Sequence, residues 1–321
     1  MKIASAYGQG AALLCAGVAA YIMQDLIMKV ASGNYPIHQA LVFRAITALP
    51  IAALIIYLTG SLKLLRGSTL PMLPRSLLLV LCSLTYYLAV ATLPLATVGA
   101  LYLSAPLMIT ALSVLLLEEK VNALQWAAVA AAFAGVILII HPGYGTFDWA
   151  MSLPLLSALA YAGAVILERK SIDNGDPGVM ALHSQSWLTL TGVALGLMLG
   201  FGQLSGETLQ HPSMDFLLRG WQWPSARDFA ILLLCGIVGS ASTFLMTKAY
   251  TFSTASALAP FEYTALLWSI FLGWLVFGDL PASKDWAGIA LLVGAGLLCV
   301  YAADDTATAK AGAPGADGRE R

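Results

Sequence analysis

Apolar residues fill the chain in ten long runs, near 8–31, 36–58, 74–93, 96–117, 122–140, 149–168, 177–201, 228–250, 254–277 and 285–302. Each is close to the ~20 residues that an α-helix needs to cross the hydrocarbon core of a bilayer. A helix satisfies its own backbone in lipid, so runs without polar alternation predict spanning helices rather than strands. Most breaks between them are short. The longest, near 203–227, carries Trp221 and Trp223, side chains suited to the membrane interface. From Asp304 the chain turns to Ala, Gly, Asp, Lys and Arg, which predicts a disordered tail over 304–321. A cleaved signal peptide is the other reading of the first run. That run continues past a short apolar region to Asp25 and Lys29, so it reads as a spanning helix.

One run breaks its own pattern. Between Ser253 and Asp279 it holds Pro260 and Glu262 near its middle. A carboxylate in a spanning helix costs about 2.5 kcal/mol or more. Helical spacing puts Ala255, Ala259, Glu262, Leu266, Ser269 and Gly273 on one small, polar face. Phe261, Leu267, Ile270 and Trp274 fall on the opposite side. Pro260 removes a backbone hydrogen bond and predicts a kink.

An earlier stretch resembles this one. Thr97–Trp126 and Thr254–Trp286 both begin with Thr and small residues, pass a proline (Pro106, Pro260) and run apolar to an acid (Glu119, Asp279). In each, Trp follows that acid by seven residues. Small-residue patches follow, at Ala134-Gly135 and Gly294-Ala295-Gly296. The chain reads as a duplication over 1–145 and 146–303. Five helices per copy is an odd number, so the second copy enters the membrane from the other side. The predicted fold is an all-α integral membrane protein with ten transmembrane helices in two inverted five-helix repeats, the plan of secondary transporters.

Composition excludes the soluble classes. Hydrophobic residues make up 59% and charged residues 10%, against about a quarter charged in soluble domains. The net charge of -1 argues against a nucleic-acid partner. Cys15, Cys82, Cys235 and Cys299 are far apart in apolar runs and read as core thiols. No metal or cofactor is expected. With the N-terminus inside, ten Lys and Arg fall on the inner side and four on the outer, or seven against four without the tail. That bias places both termini in the cytoplasm. Nucleophile–base, metal-ligand and phosphate-gripping motifs are absent, which argues against an enzyme or a nucleotide-driven pump. A channel would present repeated polar rings along an open pore.

Glu118-Glu119-Lys120 with Trp126, and Gly278-Asp279-Leu280-Pro281, resemble the paired motifs of the drug/metabolite transporter superfamily of EamA type. Asp25, Lys29, Tyr35, Gln39 and Arg44, with Ala259–Trp268, are similar to a subgroup containing S-adenosylmethionine and riboflavin uptake carriers. The resemblance covers the chain to about residue 303. It implies ten helices in a bacterial inner membrane, a small-molecule substrate, and alternating access driven by a substrate or proton gradient. Export of amino acids or drug-like metabolites is the alternative, because such proteins also export. The second repeat departs from the string, with His183 and Gln185 near the places of Phe43 and Arg44.

Glu262 is the first candidate for substrate counter-charge or proton carrier. Arg44, two turns into its helix, is placed to pair with Asp25 or Glu262 or to grip a substrate carboxylate. Asp25 and Lys29 are four apart and can pair directly. Tyr87, Tyr102, Tyr263 and Trp268 are candidates for an aromatic wall, and Gln39 for a polar vestibule. The protein partners expected are lipid and itself, as monomer or homodimer.

Overall fold

The computed structural model describes residues 2–59, 72–118, 123–140, 148–170, 177–200, 211–249, 251–252, 258, 261–283 and 285–312. The described chain is helical. In the first half, α1 is Lys2–Ser32, α2 Ile37–Thr59, α3 Leu73–Thr92, α4 Leu95–Tyr102, α5 Ala105–Leu117 and α6 Ala123–Ile140. In the second, a 3₁₀ turn at Trp149–Met151 leads into α7, Ser152–Lys170. Then come α8 (Pro177–Leu199), α9 (Pro212–Leu218), α10 (Ala226–Ala249), α11 (Thr264–Phe277) and α12 (Asp285–Gly312). Among the described residues seven helices are long and apolar enough to cross a membrane. The protein is a multi-pass membrane protein.

Local sequence explains the breaks. The run near 96–117 divides at Leu103–Ser104, and α5 restarts with Pro106 in its first turn, where proline's missing N–H costs nothing. Both α5 and α11 end on a left-handed residue, Glu118 at φ 55° and Gly278 at φ 70°. Glycine is at ease there and Glu118 is strained. These caps and the two tryptophans bring Leu117 into register with Phe277 and Trp126 with Trp286. Tyr102 is then the counterpart of Glu262. Pro260 lies outside the described residues, as do Ala255, Ala259 and Glu119.

Two expectations change. Helix α12 continues to Gly312, past Asp304, because Ala, Lys and Thr allow a helix that has already nucleated to extend. Residues 313–321 lie outside the described set. The loop near 203–227 also contains α9, which starts on His211, whose imidazole accepts from the Ser213 N–H, followed by Pro212.

The packing pairs the halves by exchange. Helix α1 packs on α10 as α7 packs on α3, and α2 packs on α10 as α8 packs on α3. Helix α5 meets α7 as α11 meets α1, while α2–α8 and α6–α12 pair directly. Close approach depends on small residues, the usual adhesive between membrane helices. A Cβ on Gly135 would press on the Gly288 carbonyl, and one on Gly296 would collide with the Tyr263 hydroxyl. On α11 the small face is buried as expected. Leu266, Ser269 and Gly273 turn inward, with Ser269 against Gly99 of α4, while Leu267 and Trp274 point outward.

Candidate functional site

A cavity of about 380 Å³ opens between α1, α2, α3, α8 and α10. Its size is ordinary for a small-molecule site. From Arg44 it extends along α2 to Ile55 and along α10 to Thr247, towards the end where α1 begins. The α10 wall is made by the run Gly236, Gly239, Ser240, Thr243 and Thr247, spaced by three and four so that one stripe faces the cavity. Two of its glycines are required by contact. A Cβ on Gly236 would collide with the Arg44 carbonyl, and one on Gly239 with the Gln24 amide.

Among the described residues Arg44 is the only charged side chain on that wall. Its Nη1 donates to the Tyr87 hydroxyl at 2.8 Å and its Nη2 to Gln185 Oε1 at 3.3 Å. Gln24 Nε2 also donates to Tyr87, at 2.9 Å. The phenol oxygen thus accepts twice, and its own proton is its remaining bonding group. Tyr21, Ser83 and Phe244 add to the lining, so one cation stands among amides, hydroxyls and the three aromatic rings of Tyr21, Tyr87 and Phe244.

Asp25 lies beside this wall and fully buried, facing away from it. Its Oδ2 accepts from Tyr86 at 3.0 Å. Behind Tyr86 the rings of Tyr102 and Tyr161 follow at 5.3 and 6.0 Å between successive centroids. Cys82 stands between the hydroxyls of Tyr102 and Ser157. Glu262 acts electrostatically on Tyr161. It is partly buried and does not line the cavity.

The opposite end is closed. Lys29 does not pair with Asp25. It reaches up to donate to the carbonyls of Leu93 (2.6 Å) and Val90 (3.3 Å), and lies 3.9 Å from Asp279. A lysine one turn from the helix end gains more from these acceptors and from water than from a buried acid. Gln39 is also spent on structure, gripping Gln222 by its carbonyl and its N–H at 2.5 and 3.1 Å. Tyr35 donates to Asp228 at 2.7 Å, and that carboxylate pushes the phenol's pKa up. Arg219 pairs with Asp215 and also reaches the Ser32 carbonyl.

Of the sequence candidates, the structure brings Arg44 and Tyr87 onto the cavity wall and Asp25 against it. It does not bring Glu262, Gln39, Tyr102, Tyr263 or Trp268 there. Arg44 bonds Tyr87 and Gln185 in place of the expected carboxylates. Trp268 meets Phe271 edge-on on the outward face, and Tyr263 packs against Gly296. Sequence reasoning missed Gln24, Gln185 as an Arg44 partner, and the α10 stripe. The stripe was visible as small and polar residues at helical spacing inside an apolar run.

Known proteins resemble the chain in both halves. The model of the EamA-like transporter family matches residues 8–141 and again 148–301. A riboflavin transporter of Rhizobium johnstonii is 30% identical over 207 residues, which cover 64% of this chain and 62% of that protein. The match thus spans less than two thirds of that relative's length. An S-adenosylmethionine uptake transporter of Rickettsia bellii is 25% identical, covering 71% of each. A pseudopaline exporter of Pseudomonas aeruginosa is 24% identical, covering 85% of this chain and 89% of its own. A solved crystal structure shares the fold at TM-score 0.60 and 16% identity, covering 92% of this chain and 98% of that one. Two family matches in tandem, on a helical frame whose halves pack by exchange, establish that the chain belongs to the EamA-like transporter family.

Proposed function

We propose that the protein is a secondary transporter of ten spans in two inverted five-helix repeats, with α4 and α5 together forming one span. It carries a neutral aromatic metabolite rich in amides and hydroxyls, of the riboflavin kind, across the bacterial inner membrane. Both termini are cytoplasmic, and the cavity alternates its access between the two sides. The observation that carries this reading is the chemistry of the wall: one guanidinium, no carboxylate, and a surround of amides, hydroxyls and aromatic rings. A neutral, hydrogen-bonding solute then enters with little desolvation of charge. Closure at the Lys29 end, with the cavity extending to the other, supports a cytoplasm-facing state.

The test is counterflow in proteoliposomes, which needs no driving gradient. Labelled riboflavin and labelled S-adenosylmethionine are each exchanged against the unlabelled compound, by the wild type and by Arg44→Ala. The expected result is saturable riboflavin exchange, lost in the variant. Exchange of S-adenosylmethionine alone would overturn the neutral-substrate reading and favour a zwitterion. Exchange undiminished in Arg44→Ala would remove Arg44 from the site.

A further inference from the structure

Two buried groups of opposite charge lie near one another, Arg44 on the cavity wall and Asp25 behind it, each with bonding capacity unused. Asp25 Oδ1 and Arg44 Nε are both buried without a hydrogen-bond partner. The side chains are electrostatic neighbours, yet each bonds elsewhere: Asp25 to Tyr86, Arg44 to Tyr87 and Gln185. A charged carboxylate oxygen left bare in a dry interior is among the costliest arrangements in a protein. Two changes relieve it: a proton on the carboxyl, or a turn of Arg44 that brings Nε to Oδ1. They are mutually exclusive, because a carboxylic acid is a poor partner for a guanidinium. The groups that face Asp25 are few. They are Tyr21 and the Gln24 amide on its own helix, Arg44 on α2, Cys82, Tyr86 and Tyr87 on α3, and Cys235 on α10. Arg44 is the only full charge among them.

We infer that Asp25, rather than Glu262, is the carboxyl group that couples transport to protons: protonated while Arg44 is turned to the cavity, and ionised when the two pair. This rests on the transporter reading above. With the proton on Asp25, Arg44 stays with Tyr87 and Gln185 on the wall, where a substrate oxygen can reach it. When the helices part and water enters, the carboxyl O–H bond breaks and the proton leaves to that water. The carboxylate then draws Arg44 away and weakens the grip on the substrate. One proton and one substrate thus travel on the same stroke. Glu262 is off the cavity wall and acts instead on Tyr161, at the far end of the tyrosine row.

The experiment has a readout that needs no substrate. Infrared spectra of the protein in liposomes at neutral pH should contain a protonated-carboxyl band that Asp25→Asn removes and Glu262→Gln leaves. Asp25→Glu, which keeps a carboxyl group, should retain a band and serves as a second variant should the amide misfold. An unchanged band in Asp25→Asn, or its loss in Glu262→Gln alone, would overturn the inference. The transport arm uses labelled riboflavin with and without an acid-outside gradient. Wild-type uptake should rise several-fold with the gradient. Asp25→Asn should still catalyse counterflow but ignore the gradient. A gradient response retained in Asp25→Asn would again overturn the inference. Failure of riboflavin counterflow in the wild type would instead sink the substrate reading, leaving the infrared result to decide this one.

Discussion

The two halves share one frame but make unequal contributions to the cavity. The first half supplies the ionisable groups, Arg44 on the wall and Asp25 behind it, held by the phenols of Tyr87 and Tyr86 respectively. The second supplies neutral material, Gln185 from α8 and the Gly–Ser–Thr stripe of α10. Even at the break in the fourth span the halves differ, with Tyr102 in one and Glu262 in its place in the other. Packing constrains the frame, since each pairing needs its mirror. The cavity escapes that constraint where its walls face open space instead of a packed partner. Duplication therefore fixes where the site lies, and divergence sets its chemistry.

Removing the first half's charge should have the largest effect. Arg44→Ala deletes two charge-assisted hydrogen bonds, worth about 1.5–3 kcal/mol each when lost from a buried site. Counterflow should fall by ~100-fold or more, at tenfold per 1.4 kcal/mol. Arg44→Lys should restore only a small part, because an ammonium cannot reach Tyr87 and Gln185 together.

The α10 stripe is the next point to break. Gly236→Ala and Gly239→Ala would push on Arg44 and Gln24, an overpacking that costs about 1–3 kcal/mol. Both variants should show lower thermal stability in detergent. Ser240→Ala, on the same stripe with no such contact, should unfold with the wild type.

The neutral contribution of the second half is smaller. Gln185→Ala should raise the concentration for half-maximal transport about tenfold while leaving the maximal rate within a factor of about two, as expected when one charge-assisted hydrogen bond of about 1.5 kcal/mol is lost. A loss comparable to that of Arg44→Ala would show the two halves to be equal partners after all.

The smallest effects belong to residues off the cavity. Trp268→Ala should leave counterflow unchanged, since its ring faces outward against Phe271. Lys29→Met should weaken the closed end and alter the ratio of inward- to outward-facing protein, read by accessibility of a cysteine placed at Ser240. Its effect on substrate affinity should stay within about threefold, as for a part-exposed ion pair.

The sequence by itself determined the all-helical membrane class, the twofold repeat and the family, because each is written in local pattern: run length, the spacing of small residues, and paired motifs. It also determined which face of α11 turns inward, since Ser269 and Gly273 differ in kind from Leu267 and Trp274. It could not determine partners. Asp25 and Lys29 share a helix face at ideal spacing, yet Lys29 is drawn to the carbonyls of Leu93 and Val90, which arrive from a different helix. Glu262 stood out as an acid in a kinked apolar helix, but cost alone does not say what surrounds it. Arg44 was visible as a charge, while its bonds to Tyr87 and Gln185 depend on α3 and α8 meeting α2. Only the tertiary structure decided the cavity, because a cavity is made where helices distant in sequence fail to touch. No local pattern records that absence.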